Sequence, residues 1–130
     1  KFKGNFTSSR HEYSDNNSAV KGNLLPNDPD MLANATLYFR PLASIEVFLH
    51  GQIVGKRFVD DSNTDANSMA QYHLLNVGIN LARGPLDIQI RLNNALDDLT
   101  ITHGEDWGSG YISYWPGADR NLFVNLIYTY

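Results

Sequence analysis

The stretch "GPLDIQIRLNN", residues 84–94, alternates apolar and polar side chains without a break. Successive side chains of a β-strand point to opposite faces, so this alternation predicts a strand with one aliphatic and one polar face. A soluble sandwich and a membrane barrel share this period of two. The stretch by itself therefore leaves open whether protein or lipid covers the aliphatic face.

The same period recurs along the chain and predicts an all-β fold. Residues 33–40, 45–54, 74–82 and 120–130 alternate in the same way, and residues 1–13 form a weaker sixth candidate. No helical period competes with these segments. We therefore expect six strands.

The lengths of the connections indicate how these strands are arranged. Short turns near 41–44 and 83–85 alternate with long polar loops at 14–30, 59–71 and 97–119. In an up-and-down sheet successive connections lie at opposite rims, and outer-membrane barrels have short periplasmic turns and long extracellular loops. The pattern predicts an antiparallel up-and-down transmembrane β-barrel segment whose long loops lie outside the cell.

The aliphatic faces exclude charge, which favours lipid over a protein core. The polar faces, in contrast, carry charged side chains such as Glu46 and Arg40. The residues predicted to face lipid are Leu75, Val77, Ile79, Leu81, Leu86, Ile88, Ile90, Leu92, Leu122, Val124 and Leu126, with Tyr130 also outward. Those predicted to face the lumen are Asn76, Asn80, Asp87, Gln89 and Arg91.

Composition excludes several other classes of function. The net charge is −4 with no basic cluster, so the electrostatic signature of a nucleic-acid-binding protein is missing. There is no cysteine, which rules out thiol catalysis and thiolate metal sites. The four histidines have no ligand spacing and no Ser/His/Asp arrangement can be argued, so we expect no metal site, no cofactor and no enzymatic activity.

Several segments carry motifs of one family, in the order that the family has them. "GNLLPNDPDMLANATLYFRP" is similar to a "GNxLPxxPxH" loop followed by a strand, and "GKRFVDDSNT" to "GxRYxDDxNT". "IRLNNALDD" is similar to a "VxNLFD" strand end, and "YWPGADRNLFVNLIYTY" to a terminal "PGxPR" with an aromatic-ended last strand. Together with "QYHLLNVGINLA", these pieces resemble the C-terminal part of TonB-dependent outer-membrane receptors.

The resemblance implies a fold, a location and partners. Receptors of this family are 22-stranded barrels whose lumen holds a separate N-terminal plug domain, and they take up scarce nutrients such as ferric siderophores. Residues 1–130 would form the last six strands of such a barrel in the bacterial outer membrane. The implied partners are outer-membrane lipid, the rest of the barrel and its plug, TonB through the N-terminal part, and a siderophore or other small nutrient.

The loop "THGEDWGSGYISYWPG" is the candidate ligand-binding site. Aromatic and polar groups on an extracellular rim can hold a chelate by stacking and hydrogen bonding, although such residues also serve loop packing and the aromatic girdle of a barrel. The candidate residues are His103, Glu105, Asp106, Trp107, Tyr111, Tyr114 and Trp115. The acidic pairs Asp60–Asp61 and Asp97–Asp98 are interpreted as loop hydrogen-bonding residues, because adjacent strand residues point to opposite faces.

A second hypothesis is a soluble β-sandwich, either a carbohydrate-binding module or an adhesion module. It accounts for the alternation and the aromatic loop, but not for the segregation of short and long connections. The two hypotheses differ in the state expected for residues 1–130 alone. A barrel segment would leave both sheet edges unpaired and should not fold stably by itself, whereas a sandwich should.

Overall fold

The computed structural model describes residues 1–16 and 19–130 as an almost entirely β structure. Its ten strands are β1 (Phe2–Ser8), β2 (Met31–Leu42), β3 (Ile45–Val54), β4 (Arg57–Phe58), β5 (Ser68–Met69), β6 (Tyr72–Arg83), β7 (Leu86–Asn93), β8 (Ile101–Asp106), β9 (Ile112–Pro116) and β10 (Asn121–Tyr128). A single 3-10 turn, Asp65–Asn67, lies between β4 and β5. Among the described residues, no helix has the length and hydropathy needed to cross a membrane.

Six strands form one antiparallel sheet in the order β1-β2-β3-β6-β7-β10. Each strand pairs with the one before and the one after it in the sheet, so the topology is up-and-down as predicted. The sheet is open, with β1 and β10 at its edges. The turns at 43–44 and 84–85 are two residues long, which confirms the two short connections.

The register sorts the side chains of the sheet onto two chemically different faces. One row of paired residues runs across all six strands without a polar side chain: Phe2, Leu37, Leu49, Val77, Leu92 and Leu122. A row on the opposite face is polar throughout: Glu46, Asn80, Gln89 and Asn125. Directly opposed residues of neighbouring strands share a face, so the eleven residues predicted to face lipid all lie on one face.

Both faces of the sheet are open in this chain. On the apolar face Leu126 is 66% exposed and Phe6 is 65% exposed, and on the polar face Phe123 is 57% exposed. Among the described residues, the buried apolar side chains of the core are those of Val54, Val59 and Met69, which lie at or beyond the long-loop end of the sheet. The hydrophobic core of this segment is therefore in its loop layer and not between two sheets.

Some boundaries differ from those predicted. The strand β1 ends at Ser8, so the first long connection is 9–30 and not 14–30, and it includes residues 17–18, which lie outside the described part. The last strand ends at Tyr128, so Tyr130 lies beyond it and its side chain is fully exposed. The other long connections span 55–71 and 94–120, and each contains a small hairpin of its own, β4–β5 and β8–β9.

Candidate ligand-binding loops

The predicted ligand-binding loop is a structured hairpin. Strands β8 and β9 are antiparallel, with Glu105 opposite Ser113 and Asp106 opposite Ile112. The tip closes through a hydrogen bond from the Trp107 amide to the Tyr111 carbonyl, 2.9 Å long. The sequence "GSG" forms this tip because all three of its residues have positive φ, which glycine adopts at little cost.

The hairpin divides the seven candidate residues among two faces and a tip. His103 lies opposite Trp115, and their rings are 5.2 Å apart at an angle of 55°. Because side chains alternate along a strand, Glu105 shares the face of that pair, while Asp106 and Tyr114 lie on the other face. Trp107 and Tyr111 lie at the tip, 61% and 66% exposed. The structure thus brings His103 and Trp115 into ring contact and distributes the other five candidates over the two faces and the tip.

The other two long loops contact this hairpin. Arg57 of β4 donates from Nη1 to the Thr102 carbonyl at 2.8 Å and from Nη2 to the Ile101 carbonyl at 2.5 Å. The Asn27 side chain of the first loop both donates to the Gly104 carbonyl and accepts from the Gly104 amide, at 2.8 and 2.9 Å. The three loops therefore form one connected layer.

The second loop is folded around the carboxylate of Asp60. This carboxylate accepts hydrogen bonds from the Thr64 amide at 3.0 Å and from Asn67 Nδ2 at 2.8 Å. Burial by itself raises the pKa of Asp60, but these hydrogen bonds outweigh it and hold the pKa below its usual value. Asp60 is thus a buried, charged acceptor that shapes the loop.

The first and second loops are joined by a group of polar contacts. Asn63 Nδ2 donates to the Leu24 carbonyl at 2.9 Å, and the Leu24 amide donates to Asn63 Oδ1 at 2.6 Å. The Tyr13 hydroxyl donates to Asp61 at 2.7 Å, and this hydrogen bond raises the pKa of the Tyr13 phenol. The interpretation of Asp60–Asp61 as loop hydrogen-bonding residues is confirmed.

The polar face of the sheet carries a network of hydrogen bonds that was not predicted from the sequence. Arg91 donates to Asn80 Oδ1 at 2.7 Å, Asn80 donates to Glu46 at 3.1 Å, and Arg40 pairs with Glu46 at 2.7 Å. The Arg91 guanidinium also lies 4.7 Å from the centre of the Phe48 ring. Glu46, Phe48, Asn80 and Arg91 border a pocket of about 340 Å³ on the polar face. The alternation identified their face, but the cross-strand register was needed to identify their partners.

Among the described residues, no three His, Cys, Asp or Glu side chains converge to hold a metal ion. The β8–β9 hairpin carries aromatic rings and carboxylates, and the loops beside it carry amides. Such groups recognise a ligand by stacking and hydrogen bonding.

Comparison with solved structures places this two-faced sheet among known folds. The ferric citrate transporter FecA matches 98% of the chain with a TM-score of 0.85 at 16% sequence identity. The ferric yersiniabactin uptake receptor FyuA of Yersinia pestis matches 99% with a TM-score of 0.82 at 19% identity. This chain has the fold of a siderophore-receptor barrel wall.

The match is to a part of each receptor. The chain spans 20% of the length of FecA and 21% of FyuA, and it covers 15% of the siderophore receptor PiuA from Acinetobacter baumannii, with a TM-score of 0.75 at 19% identity. No family model and no curated protein matches the sequence. The resemblance predicted from the motifs is confirmed at the level of the fold, since the chain matches a part of each of these receptors.

Proposed function

We propose that residues 1–130 form part of the wall and the extracellular loops of a TonB-dependent receptor in the bacterial outer membrane. The observation that carries this proposal is the uncharged row that crosses all six strands on one face. A face of this kind suits hydrocarbon, where a charged residue near the midplane costs about 2 to 4 kcal/mol. The fold likeness to siderophore receptors supports the same function.

The receptor would take up a scarce nutrient such as a ferric siderophore. In this proposal the segment is the C-terminal portion of the barrel, the plug domain occupies the lumen beside the polar face, and TonB acts through the N-terminal part of the protein. The polar network of Arg91, Asn80 and Glu46 suits a hydrated lumen, because its side chains are hydrogen bonded to one another across strands.

The second hypothesis, a soluble β-sandwich, fits the open sheet of this structure less well. A sandwich needs a second sheet over its apolar face. Within residues 1–16 and 19–130, the apolar face carries large exposed side chains such as Leu122, Leu126 and Phe6. No second sheet of the described chain covers them, since the remaining two sheets are two-stranded hairpins.

Membrane topology can be tested by labelling whole cells. Ser44 lies in a two-residue turn and Ser109 lies at the tip of the β8–β9 hairpin, at opposite ends of the segment. In the full-length receptor, a membrane-impermeant thiol reagent should label Ser109→Cys in intact cells and should label Ser44→Cys only after lysis. Labelling of Ser44→Cys but not Ser109→Cys in intact cells would contradict the proposal.

The ligand site can be tested by uptake of radioactive iron in cells that depend on the full-length receptor. Ferric citrate, a ferric catecholate and ferrichrome serve as probes, and at least one should be taken up in a TonB-dependent manner. Loss of an aromatic stacking partner costs about 0.5 to 1.5 kcal/mol. Trp115→Ala should therefore raise the half-saturating concentration about two- to twelvefold.

The matched control is Leu99→Ala, which changes an exposed residue of the same loop outside the hairpin. This variant should retain the wild-type half-saturating concentration. TonB-independent uptake, or no uptake of any ferric probe, would contradict the siderophore receptor. Equal effects of Trp115→Ala and Leu99→Ala would contradict the assignment of the ligand site to the hairpin.

A further inference from the structure

The Arg57 guanidinium is buried in the loop layer beneath the β8–β9 hairpin. Arg57 is 4% exposed, and its two terminal nitrogens donate to the carbonyls of the adjacent residues Ile101 and Thr102. Two adjacent carbonyls match the fork of a guanidinium, which presents fixed donors in one plane. A lysine at this position has one nitrogen and cannot reproduce the fork.

In the described part of the chain, no carboxylate forms an ion pair with Arg57. The ion pairs among the described residues engage Arg10, His11, Arg40, Lys56 and Arg120. Arg57 instead lies 5.2 Å from the centre of the Tyr72 ring, and its Nε has no hydrogen-bond acceptor. Burial lowers the pKa of Arg57, because removal of the charged guanidinium from water is unfavourable.

The hairpin carbonyls are therefore essential to the burial of Arg57. If β8 moved away, the guanidinium would lose both of its hydrogen bonds while remaining in a poorly solvated site. A buried charge that loses its partners is strongly destabilising. Detachment of the hairpin is opposed by this cost.

Asn27 fixes the next part of the same strand. Its side chain makes two hydrogen bonds with the backbone of Gly104, and its own amide donates to the Phe58 carbonyl at 2.8 Å. Asn27 thereby joins the first loop, β4 and β8 in one unit. Its φ of 62° is one that asparagine tolerates better than most residues do.

Close packing at Gly104 completes the attachment. A Cβ atom at this position would lie 2.6 Å from Val59 Cγ2 and 3.3 Å from Met69 Sδ. Val59 and Met69 are buried, so β8 lies directly on the hydrophobic core of the loop layer. The polar contacts at 101, 102 and 104 and the packing at Gly104 thus act on three of the four residues from 101 to 104.

We propose that Arg57 and Asn27 are positioning residues that hold the β8–β9 hairpin in a preformed orientation, so that its exposed aromatic side chains are presented to the ligand without a folding step. The orientation of the hairpin is independent of the proposed function, whereas its consequence for binding rests on that function. Preorganised groups bind more tightly because less conformational entropy is lost on binding.

The orientation is tested by spin-label distances in the full-length receptor. Labels at Ser109→Cys and Ser44→Cys report the position of the hairpin tip relative to a short turn of the sheet. Arg57→Ala, Arg57→Lys and Asn27→Ala should each broaden or shift the distance distribution. Lys56→Ala should not, because Lys56 is the adjacent cation and its partner Asp65 lies within the same loop.

The Arg57→Lys variant distinguishes the positioning role of the forked guanidinium from the effect of its positive charge. It keeps the charge and loses the fork, so a distance distribution like that of Arg57→Ala supports the proposal. A wild-type distribution in both Arg57→Lys and Arg57→Ala would overturn it. Failure of an Arg57 variant to fold would show as loss of the heat-dependent mobility of the barrel in gels. In that case the spin-label distance distribution of Asn27→Ala tests the proposal, and a wild-type distribution would overturn it.

Binding of the ferric probe that wild-type cells take up gives the second measurement. Arg57→Lys should raise the half-saturating concentration at least threefold and leave the maximal rate of uptake unchanged, since the rest of the barrel is intact. A fall in maximal rate alone would contradict positioning of the binding site. Absence of ferric uptake in the wild type would contradict the proposed function, but the distance measurement would still test the role of Arg57.

Discussion

At the scale of single residues, the glycines of the sheet differ in whether the structure leaves room for a side chain. A Cβ atom at Gly78 would lie 2.2 Å from Phe48 Cε1. The Phe48 ring cannot easily move aside, because it lies between Tyr38 and the Arg91 guanidinium, at 6.2 and 4.7 Å. Gly51, in contrast, has open space where its Cβ would be.

This difference predicts unequal effects of the same substitution. Gly78→Ala in the full-length receptor should destabilise the barrel by about 1 to 3 kcal/mol, the usual cost of overpacking. Gly51→Ala should have little effect, because nothing lies within 4 Å of the new methyl group. The measurement is the midpoint temperature at which the barrel loses its folded mobility in gels, and equal midpoints for the two variants would contradict the packing of Phe48 on Gly78.

The acidic residue Asp60 predicts a pH dependence of the second loop. Its pKa is lowered in the folded loop, since the hydrogen bonds from Thr64 and Asn67 outweigh burial. A lowered pKa contributes stability that is present above the unfolded pKa of about 3.9 and is lost as the pH falls through the folded value. Cleavage of this loop by pepsin should therefore increase as the pH falls below about 3.9.

The variant Asp60→Asn supplies the test of that dependence. It should be cleaved readily already at the upper end of the pepsin range, because a side-chain NH₂ replaces one acceptor oxygen, and its cleavage should depend less on pH. Asp65→Asn is the control, since Asp65 is an exposed carboxylate whose ion pair with Lys56 lies at the surface. A wild-type pH profile in Asp60→Asn would contradict the role of Asp60.

At the scale of elements, β7 and β10 show how one strand pair presents an apolar face and a polar face. Ile90 lies opposite Val124 on the apolar face, and Gln89 lies opposite Asn125 on the polar face. The ionisable side chains His73 and Arg83 lie at opposite ends of the apolar face, where they pair in the register with Ile53 and Leu86. Gln71 forms a hydrogen bond of 3.0 Å with His73, so the imidazole of His73 has a polar partner at the start of β6.

The strand pair predicts a strong dependence on which face a charge occupies. Ile90→Arg should destabilise the full-length barrel by about 2 to 4 kcal/mol near the bilayer midplane. Gln89→Arg, one residue away, should cost much less because the side chain enters the lumen. The free energy of unfolding in lipid vesicles measures both variants.

Spin labels provide an independent check of the same assignment. Labels at Ile90 and Val124 should be accessible to oxygen dissolved in lipid, and labels at Gln89 and Asn125 to a water-soluble relaxation agent. The reverse pattern would invert the two faces.

At the scale of the whole molecule, the segment has little to stabilise it apart from the rest of a barrel. In the described part of the chain, the buried apolar residues of the core are Val54, Val59 and Met69, and the apolar face of the sheet is open. Strands β1 and β10 are unpaired on their outer sides in this chain. Unpaired backbone groups in hydrocarbon cost several kcal/mol each, so the edges need neighbouring strands.

We therefore predict that residues 1–130 expressed alone do not form a stable monomer. In buffer without detergent they should aggregate or remain unfolded, with weak protection of the sheet amides from hydrogen exchange. The full-length receptor in detergent should protect the same amides strongly. A monodisperse, well-protected monomer of residues 1–130 would contradict the barrel segment and favour a soluble module.

The sequence by itself determined the six sheet strands, their order, their two faces and the positions of the long loops. Alternation such as that of Leu86, Ile88 and Ile90 is a local signal, because the period of two is set by the backbone of each strand. The short turns indicated that β2 pairs with β3 and β6 with β7, and the alternation of short and long connections indicated the up-and-down order of the rest. The motif likeness then supplied the receptor-type fold, which the solved structures confirm.

Only the tertiary structure decided what lies within the long loops. The hairpins β4–β5 and β8–β9 are short, and their stabilising partners are distant in sequence: Asn27 is 77 residues from Gly104, and Arg57 is 45 residues from Thr102. The alternation of side chains along a strand contains no information about hydrogen bonds between two loops. The pairing of His103 with Trp115, the separation of the other candidate residues and the burial of Arg57 follow from this long-range packing, because loop conformation depends on what the loop contacts rather than on its own propensities.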